Sequence, residues 1–176
     1  LTDLTPGTTI TAKEVKAAEG FVLDSSPQSI TIKEGETPSM IFWNRKAGNL
    51  IINKVDAVDK HPLSGVTFKI TYADGSNVDQ DDGKTSSNGI YITDANGQIK
   101  ISGIVGTVII TEIETIPGYY IKEENRTQTV EINPDDTQTI TIYNAPRQTL
   151  TIQKYVDGTT NPIQGVTFLV TDSSGA

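Results

Sequence analysis

Apolar and polar residues alternate with a period of two along most of the chain, whereas the period of about 3.6 that marks an amphipathic helix is almost absent. Turn-forming pairs such as Asp74-Gly75, Asn96-Gly97 and Pro117-Gly118 interrupt this alternation. The pattern predicts strands at 50–56, 66–72, 90–93, 98–102, 107–113, 118–121, 127–133 and 137–144. Many short strands at this spacing are typical of a β-sandwich.

The sequence also repeats itself. Residues 50–75 align without gaps with residues 150–175, at an offset of 100 that places Lys54 on Lys154 and superposes two GVTF runs. Self-similarity at a fixed period indicates that one structural unit occurs more than once.

Two further matches connect the start of the chain with its middle. The segment 8–21 matches 106–119 at an offset of 98, and MIFWN at 40–44 matches ITIYN at 140–144. These matches pair Glu14 with Glu112 and Asn44 with Asn144.

The offsets define a repeating unit of about one hundred residues. We therefore expect tandem all-β domains: the C-terminal part of one in residues 1–46, a complete domain in 47–146, and the N-terminal part of a further one in 147–176.

Composition and charge exclude several classes of function. A net charge of −8 repels phosphate backbones, so no nucleic-acid partner is expected. No apolar run is long enough for a membrane-spanning helix, so membrane insertion is not expected either. Without cysteine, and with His61 as the single histidine, the chain has no thiolate or histidine cluster, and we expect neither metal nor cofactor.

Three of the predicted strands carry a polar residue at the end of an apolar row. Residues of equal parity share one face of a strand. The rows are Leu50, Ile52 and Lys54; Val108, Ile110 and Glu112; and Ile140, Ile142 and Asn144. The pattern predicts that an amine, a carboxyl and a carboxamide all point into the core. Glu114 is a rival acid, which we expect to point outward.

An amine and a carboxyl that are buried together can react with a carboxamide. Low dielectric disfavours both charges, and a neutral amine is a nucleophile. A protonated Glu112 could hydrogen-bond the carboxamide oxygen of Asn144 and shuttle protons to departing ammonia, which would leave an amide between Lys54 and Asn144. The residues alone leave two alternatives open: a buried ion pair with Asn144 as its partner, or Lys54 reaching out to water from a strand end.

Five motifs in order resemble those of Cna-B domains, the SpaA-type, prealbumin-like modules of Gram-positive surface adhesins and pilins. They are L-x-I-x-K-x-D, G-V-T-F, T-D-A-N-G-Q-I, a Glu six residues before Gly-Tyr, and I-x-I-x-N-x-P. The family often reads E-T-x-A-P-x-G-Y around its acid, whereas here Pro117 stands directly before Gly118.

The resemblance implies a transthyretin-like Greek-key β-sandwich and an intramolecular isopeptide bond. It places the cross-link at Lys54 and Asn144 and the catalytic acid, the proton shuttle, at Glu112. Partial sites of neighbouring domains would then be Glu14 and Asn44 before it, and Lys154 after it.

We expect a structural stalk or spacer module of an adhesin or pilin, extracellular and attached to the cell wall through an anchor outside this segment. Bond formation would be a single self-processing event and the module not an enzyme with turnover. Its partners would be neighbouring domains, with a host protein or glycan also possible. The alternative is a binding module that recognises such a ligand through its loops, and a third reading is an accessory β-domain of a secreted enzyme.

Other candidate features fit these readings less well. The polar segment 74–89 resembles a calcium-binding loop only loosely, since Asn88 stands where the last ligand should be, and a surface loop is expected. His61 beside Pro62 is expected to be a solvated loop residue. Aromatic residues suit a sugar site, but their spread over different strands favours packing; they are Phe42, Trp43, Tyr91, Tyr119, Tyr120 and Tyr143.

Overall fold

Short β-strands connected by turns make up the fold in the computed structural model, which describes residues 1–79 and 87–175. No α-helix occurs in these ranges. The strands are β1 (Thr9–Ala12), β2 (Gln28–Thr31), β3 (Gly48–Asp56), β4 (Thr67–Tyr72), β5 (Ile90–Ile92), β6 (Gln98–Ile104), β7 (Gly106–Glu114), β8 (Tyr119–Tyr120), β9 (Thr127–Ile132) and β10 (Thr137–Pro146). The eight strands predicted for the middle of the chain are confirmed, with ends shifted by one or two residues.

The chain divides into two units, residues 1–146 and residues 147–176. In the first unit, two four-stranded sheets form a sandwich. One sheet has the order β6-β3-β10-β8 and the other the order β5-β4-β7-β9. β3 and β10 run parallel, whereas the other strand pairs within the described residues are antiparallel. The predicted β-sandwich is therefore confirmed.

The core lies between the inward faces of the two sheets. Along β3, buried and partly buried residues alternate without a break, which is the period of two that the sequence shows. Leu50 and Ile52 of β3 belong to one sheet, and Phe68, Val108 and Ile110 belong to the other. All five are fully buried in the same core cluster. Burying each such side chain contributes roughly 1.5–3 kcal/mol.

Residues 1–46 carry a small sheet of their own. β1 and β2 pair antiparallel, with Thr9 opposite Thr31 and Ala12 opposite Gln28. The pairing of β7 with β9 has the same pattern, since Thr107 lies opposite Glu131 and Ile110 opposite Gln128.

The second unit, residues 147–176, is mostly exposed and contains an isolated bridge between Tyr155 and Pro162. A matching bridge joins Val55 to Pro62 in the first unit. Of the polar segment predicted as a surface loop, residues 74–79 form a turn that returns to β4 through a bridge between Thr71 and Asn77, and residues 80–86 lie outside the described residues.

Candidate cross-linking site

The parallel pairing of β3 with β10 brings Lys54 and Asn144 together. Lys54 lies opposite Ile142, and Asn144 lies opposite Asp56, so the two residues are diagonal neighbours on one face. Both side chains point into the core and are 0% exposed. Adjacent strands thus deliver an amine and a carboxamide to the same place.

A close-packed turn fixes the backbone of Lys54. Its N–H donates to the carbonyl of Gly97 at 2.8 Å, and its carbonyl accepts from the N–H of Leu63 at 2.8 Å. Gly97 has a φ of 67°, and a Cβ added there would lie 2.5 Å from the Lys54 carbonyl oxygen. This close approach needs a glycine, which gives the T-D-A-N-G-Q-I motif a structural reason.

Glu112 reaches the same point from the opposite sheet. It lies on β7, and its side chain is 0% exposed. Its Oε2 lies 3.2 Å from Nζ of Lys54, and its Oε1 accepts a hydrogen bond from Nδ2 of Asn144. One carboxyl group therefore spans the amine and the carboxamide. Glu114 is exposed, as expected; it has the parity of Glu112, but the pairing of β7 with β4 shifts register between Thr67 and Phe68, which breaks the alternation after Glu112.

Three atoms of this cluster are buried and make no hydrogen bond: Nζ of Lys54, Oε2 of Glu112 and Oδ1 of Asn144. They are the only buried side-chain nitrogen and oxygen atoms in that state among the residues that the structure describes. Nζ of Lys54 and Oε2 of Glu112 lie 3.2 Å apart, as an ion pair without hydrogen-bond geometry. Leaving a buried polar group unsatisfied costs about 1–3 kcal/mol, more if it is charged. If the three residues stayed unreacted, these atoms would lower the free energy of unfolding of the domain.

Burial lowers the pKa of Lys54 below its ordinary value of 10.5. The charge of the nearby Glu112 opposes this change but does not cancel it. The electrostatics therefore raise the fraction of neutral amine above that of an exposed lysine, and the neutral amine is the nucleophilic form.

This lowered pKa predicts a pH effect on stability in Asn144→Ala, where the Lys54 amine has lost its carboxamide neighbour. Between the folded-state pKa and 10.5, the unfolded chain binds more protons than the folded one, so the free energy of unfolding rises with pH. Denaturant unfolding at a series of pH values above neutrality measures the slope. The matched control, Asn144→Ala with Lys54→Met, lacks the amine and should have a flatter slope; equal slopes would contradict the lowered pKa.

The sequence analysis missed a fourth residue at the site. Thr115 follows β7 directly, and its Oγ1 accepts a hydrogen bond of 2.7 Å from Nδ2 of Asn144. Strand alternation could not identify it, because Thr115 lies beyond the end of the strand.

One expected contact differs in the structure. Glu112 was expected to hydrogen-bond the carboxamide oxygen of Asn144, but it accepts from the carboxamide nitrogen instead. Thr115 accepts from the same nitrogen, so the oxygen points away from both residues. The acid is thereby placed next to the group that would leave as ammonia.

The sequence model of a family described as the SpaA prealbumin-like fold domain matches residues 48–146, more than half of the chain. The chain belongs to this family. The resemblance noted in the sequence is confirmed, and the matched segment is the sandwich that contains Lys54, Glu112 and Asn144.

The chain is also similar to solved structures of other proteins. The chain is 27% identical to the Bacillus anthracis TIE protein, with a TM-score of 0.51 over 79% of this chain and 25% of that one. It is 26% identical to GBS52, the minor pilin of the gram-positive pathogen Streptococcus agalactiae, with a TM-score of 0.50 over 88% of this chain and 66% of that one. The chain thus spans a quarter of the first protein and just under two thirds of the second.

A mutant of the shaft pilin SpaA from Lactobacillus rhamnosus GG shares the fold at 16% identity, with a TM-score of 0.50 over 81% of this chain and 64% of that one. No curated protein sequence matches the chain. Within residues 1–79 and 87–175, no helix is long and apolar enough to cross a membrane.

A polar network closes the end of the prealbumin-like sandwich beside the site. Asp56 is buried; it accepts hydrogen bonds from the hydroxyl of Tyr119 at 2.9 Å and from the N–H of Val58 at 2.5 Å. Burial would raise the pKa of Asp56, but these hydrogen bonds together hold it below its ordinary value. The backbone carbonyl of Asn144 accepts from the N–H of Ala57 at 2.9 Å, which joins this network to the site.

His61 has more contacts than the solvated loop position that the sequence predicted. It is exposed, but Nδ1 lies 2.5 Å from Oδ1 of Asp59, and Nε2 lies 3.2 Å from the hydroxyl of Tyr119. Ligand atoms of Asp56, Asp59 and His61 lie within 4.8 Å of one another, a spacing that could hold a metal ion. Hydrogen bonds within the protein already engage all three.

Of the partial sites, the structure brings Glu14 and Asn44 together. Nδ2 of Asn44 donates to Oε1 of Glu14 at 2.6 Å. A pocket of about 510 Å³ lies beside the pair, with Ala12, Phe21 and Phe42 also in its lining. Lys154 belongs to the other unit and is exposed.

The aromatic residues do not form one platform. Tyr91 lies in the core and donates to the carbonyl of Val78, whereas Trp43 is 81% exposed. Tyr143 lies under the ammonium group of Lys60, at 4.6 Å from the ring centre. The packing role expected from the sequence therefore holds for Tyr91 but not for Trp43.

Proposed function

We propose that this chain is a stalk or spacer segment of a Gram-positive surface adhesin or pilin, and that its central domain locks itself with an amide bond between Lys54 and Asn144. The observation that carries the proposal is the set of three buried atoms that make no hydrogen bond, Nζ, Oε2 and Oδ1, gathered at one point of the core. Bond formation would turn Nζ into an amide nitrogen whose remaining N–H faces Oε2 of Glu112. It would also remove an amine that is costly to keep dry as an ammonium ion.

The reaction follows from the positions of the two carboxyl oxygens of Glu112. The neutral amine of Lys54 attacks Cγ of Asn144, a C–N bond forms, and Oε2 takes a proton from Nζ. Oε1, which contacts Nδ2, returns a proton to that nitrogen. The bond between Cγ and Nδ2 then breaks and ammonia leaves, so one amide replaces one carboxamide and one amine. Fixed proximity can supply roughly 7–11 kcal/mol of the barrier.

The bond would stabilise the domain by closing a long loop. The ninety residues from Val55 to Asn144 lie inside that loop. By the loop-entropy arithmetic developed for disulfides, such a link adds about 4–5 kcal/mol to the free energy of unfolding. In a chain without cysteine, it would replace the disulfides that other extracellular domains use.

We also propose that the chain is a tandem array, with domains divided at residues 46–47 and 146–147. Matching strand registers in β1–β2 and β7–β9 support this division. So does the turn of the second unit, where Ile163 donates to Lys154 as Leu63 donates to Lys54, at 2.8 Å in both cases. On this proposal, Glu14, Asn44 and Lys154 belong to the sites of flanking domains.

The location and partners follow from the array. The chain would lie outside the cell, attached to the wall through other parts of its parent protein, and its partners would be the domains beside it. The similarity to GBS52, a minor pilin of a gram-positive pathogen, supports this location.

The intact mass of the purified chain tests the proposal. We expect a mass short by one ammonia, and a proteolytic digest in which a peptide containing Lys54 stays joined to one containing Asn144. A chain at full mass would contradict the bond, and Lys54, Glu112 and Asn144 would then be a buried polar cluster.

A further inference from the structure

Thr115 lies where it can control the orientation of the reacting carboxamide. A carboxamide nitrogen carries two hydrogens, and both of those on Asn144 have acceptors: Oε1 of Glu112 and Oγ1 of Thr115. With both hydrogens held, the plane of the carboxamide is fixed. The terminal torsion of an asparagine is otherwise broad, so this restraint comes from the partners and not from the side chain itself.

We propose that Thr115 is a positioning residue for the cross-linking reaction; this inference rests on the proposed bond between Lys54 and Asn144. Its hydroxyl keeps Nδ2 next to Glu112, so that the nitrogen that must receive a proton is the one that faces the acid. Without the hydroxyl, the carboxamide can turn and present Oδ1 to Glu112, and the productive arrangement forms a smaller fraction of the time. The effect of Thr115 is therefore on the rate of bond formation.

The chain contains an internal comparison. At the offset of 98 that places Glu14 on Glu112, the residue in the position of Thr115 is Ala17. Glu14 still accepts a hydrogen bond from Nδ2 of Asn44 at 2.6 Å. The contact between acid and carboxamide thus forms without a hydroxyl, which means that Thr115 adds a separate restraint on the second hydrogen.

The position of Thr115 also argues against a purely structural role. It is only partly buried and lies outside the strands, so its removal takes little apolar contact from the core. Thr115→Val keeps the shape of the side chain and removes the hydroxyl, whereas Thr115→Ser keeps the hydroxyl and removes the methyl group. The two variants separate hydrogen bonding from packing.

The experiment follows the rate of ammonia loss in the full chain. Wild type, Thr115→Val and Thr115→Ser are made in a short cell-free synthesis pulse, and intact mass is recorded through the chase. Loss of one hydrogen bond that acts on the reaction should slow Thr115→Val roughly tenfold. Thr115→Ser should react close to the wild-type rate. Amide hydrogen exchange in β3 and β10 verifies that each variant has folded.

The outcomes are distinct. A slow valine variant that is rescued by serine supports the inference. A valine variant at the wild-type rate, or valine and serine variants that are equally slow, would overturn it while leaving the proposed bond intact. A wild-type chain that never loses ammonia would overturn the bond itself, and the role of Thr115 with it.

Discussion

Glu112→Gln is expected to fold and to keep its full mass, with no ammonia lost over times in which the wild type reacts completely. Glutamine has the same shape, and its Oε1 can still accept the hydrogen bond from Nδ2 of Asn144. It cannot take a proton from Lys54 or return one to Asn144. Loss of a positioned acid and base slows such a step by about 10²–10⁴-fold, and intact mass against time measures the effect.

The matched control is Glu114→Gln, which removes the same charge two residues away. Glu114 is exposed and lies beyond the register shift that follows Glu112 in the pairing with β4. This variant should lose ammonia as the wild type does. If Glu112→Gln reacted at the rate of this control, Glu112 would not be the proton shuttle, and proximity alone would have to drive the reaction.

Single-molecule pulling is expected to show the second large effect. Tension that enters before Gly48 and leaves after Pro146 pulls the parallel strands β3 and β10 in opposite directions along their shared ladder. With Lys54 joined to Asn144, the residues between them cannot extend. In Glu112→Gln those ninety residues are released, and the contour length should grow by roughly 300 Å.

The force trace of Glu114→Gln, which keeps the cross-link, gives the reference for this experiment. A cross-linked domain that nevertheless released the longer length would show that the load bypasses the bond. The mechanical role would then be wrong, even if the mass measurement had established the bond itself.

The sequence predicted the strands and the inward faces because both depend on local alternation. Lys54, Glu112 and Asn144 each end an apolar row, and parity alone placed all three side chains in the core. Parity alone would put Glu114 on the same face as Glu112, and its exposure follows instead from the register shift between β4 and β7.

Long-range pairing was beyond this reasoning. Alternation does not reveal that β10 lies parallel to β3, or that β7 approaches from the other sheet, although these two facts bring the three side chains together. Thr115 lies outside the strands, and the orientation of the Asn144 carboxamide depends on partners distant in sequence. The contacts of His61 with Asp59 and Tyr119 depend on the same kind of distant approach.

The parallel arrangement of β3 and β10 also sets the distance between the points where the chain enters and leaves the domain. The chain enters the sandwich at Gly48, at one end of this strand pair, and leaves past Pro146, at the other. Nine residues of β3 at about 3.3 Å each span roughly 30 Å. In the proposed tandem array, each domain of about one hundred residues would lengthen a surface fibre by this distance, and the thickness of the layer to be crossed would set the number of copies needed.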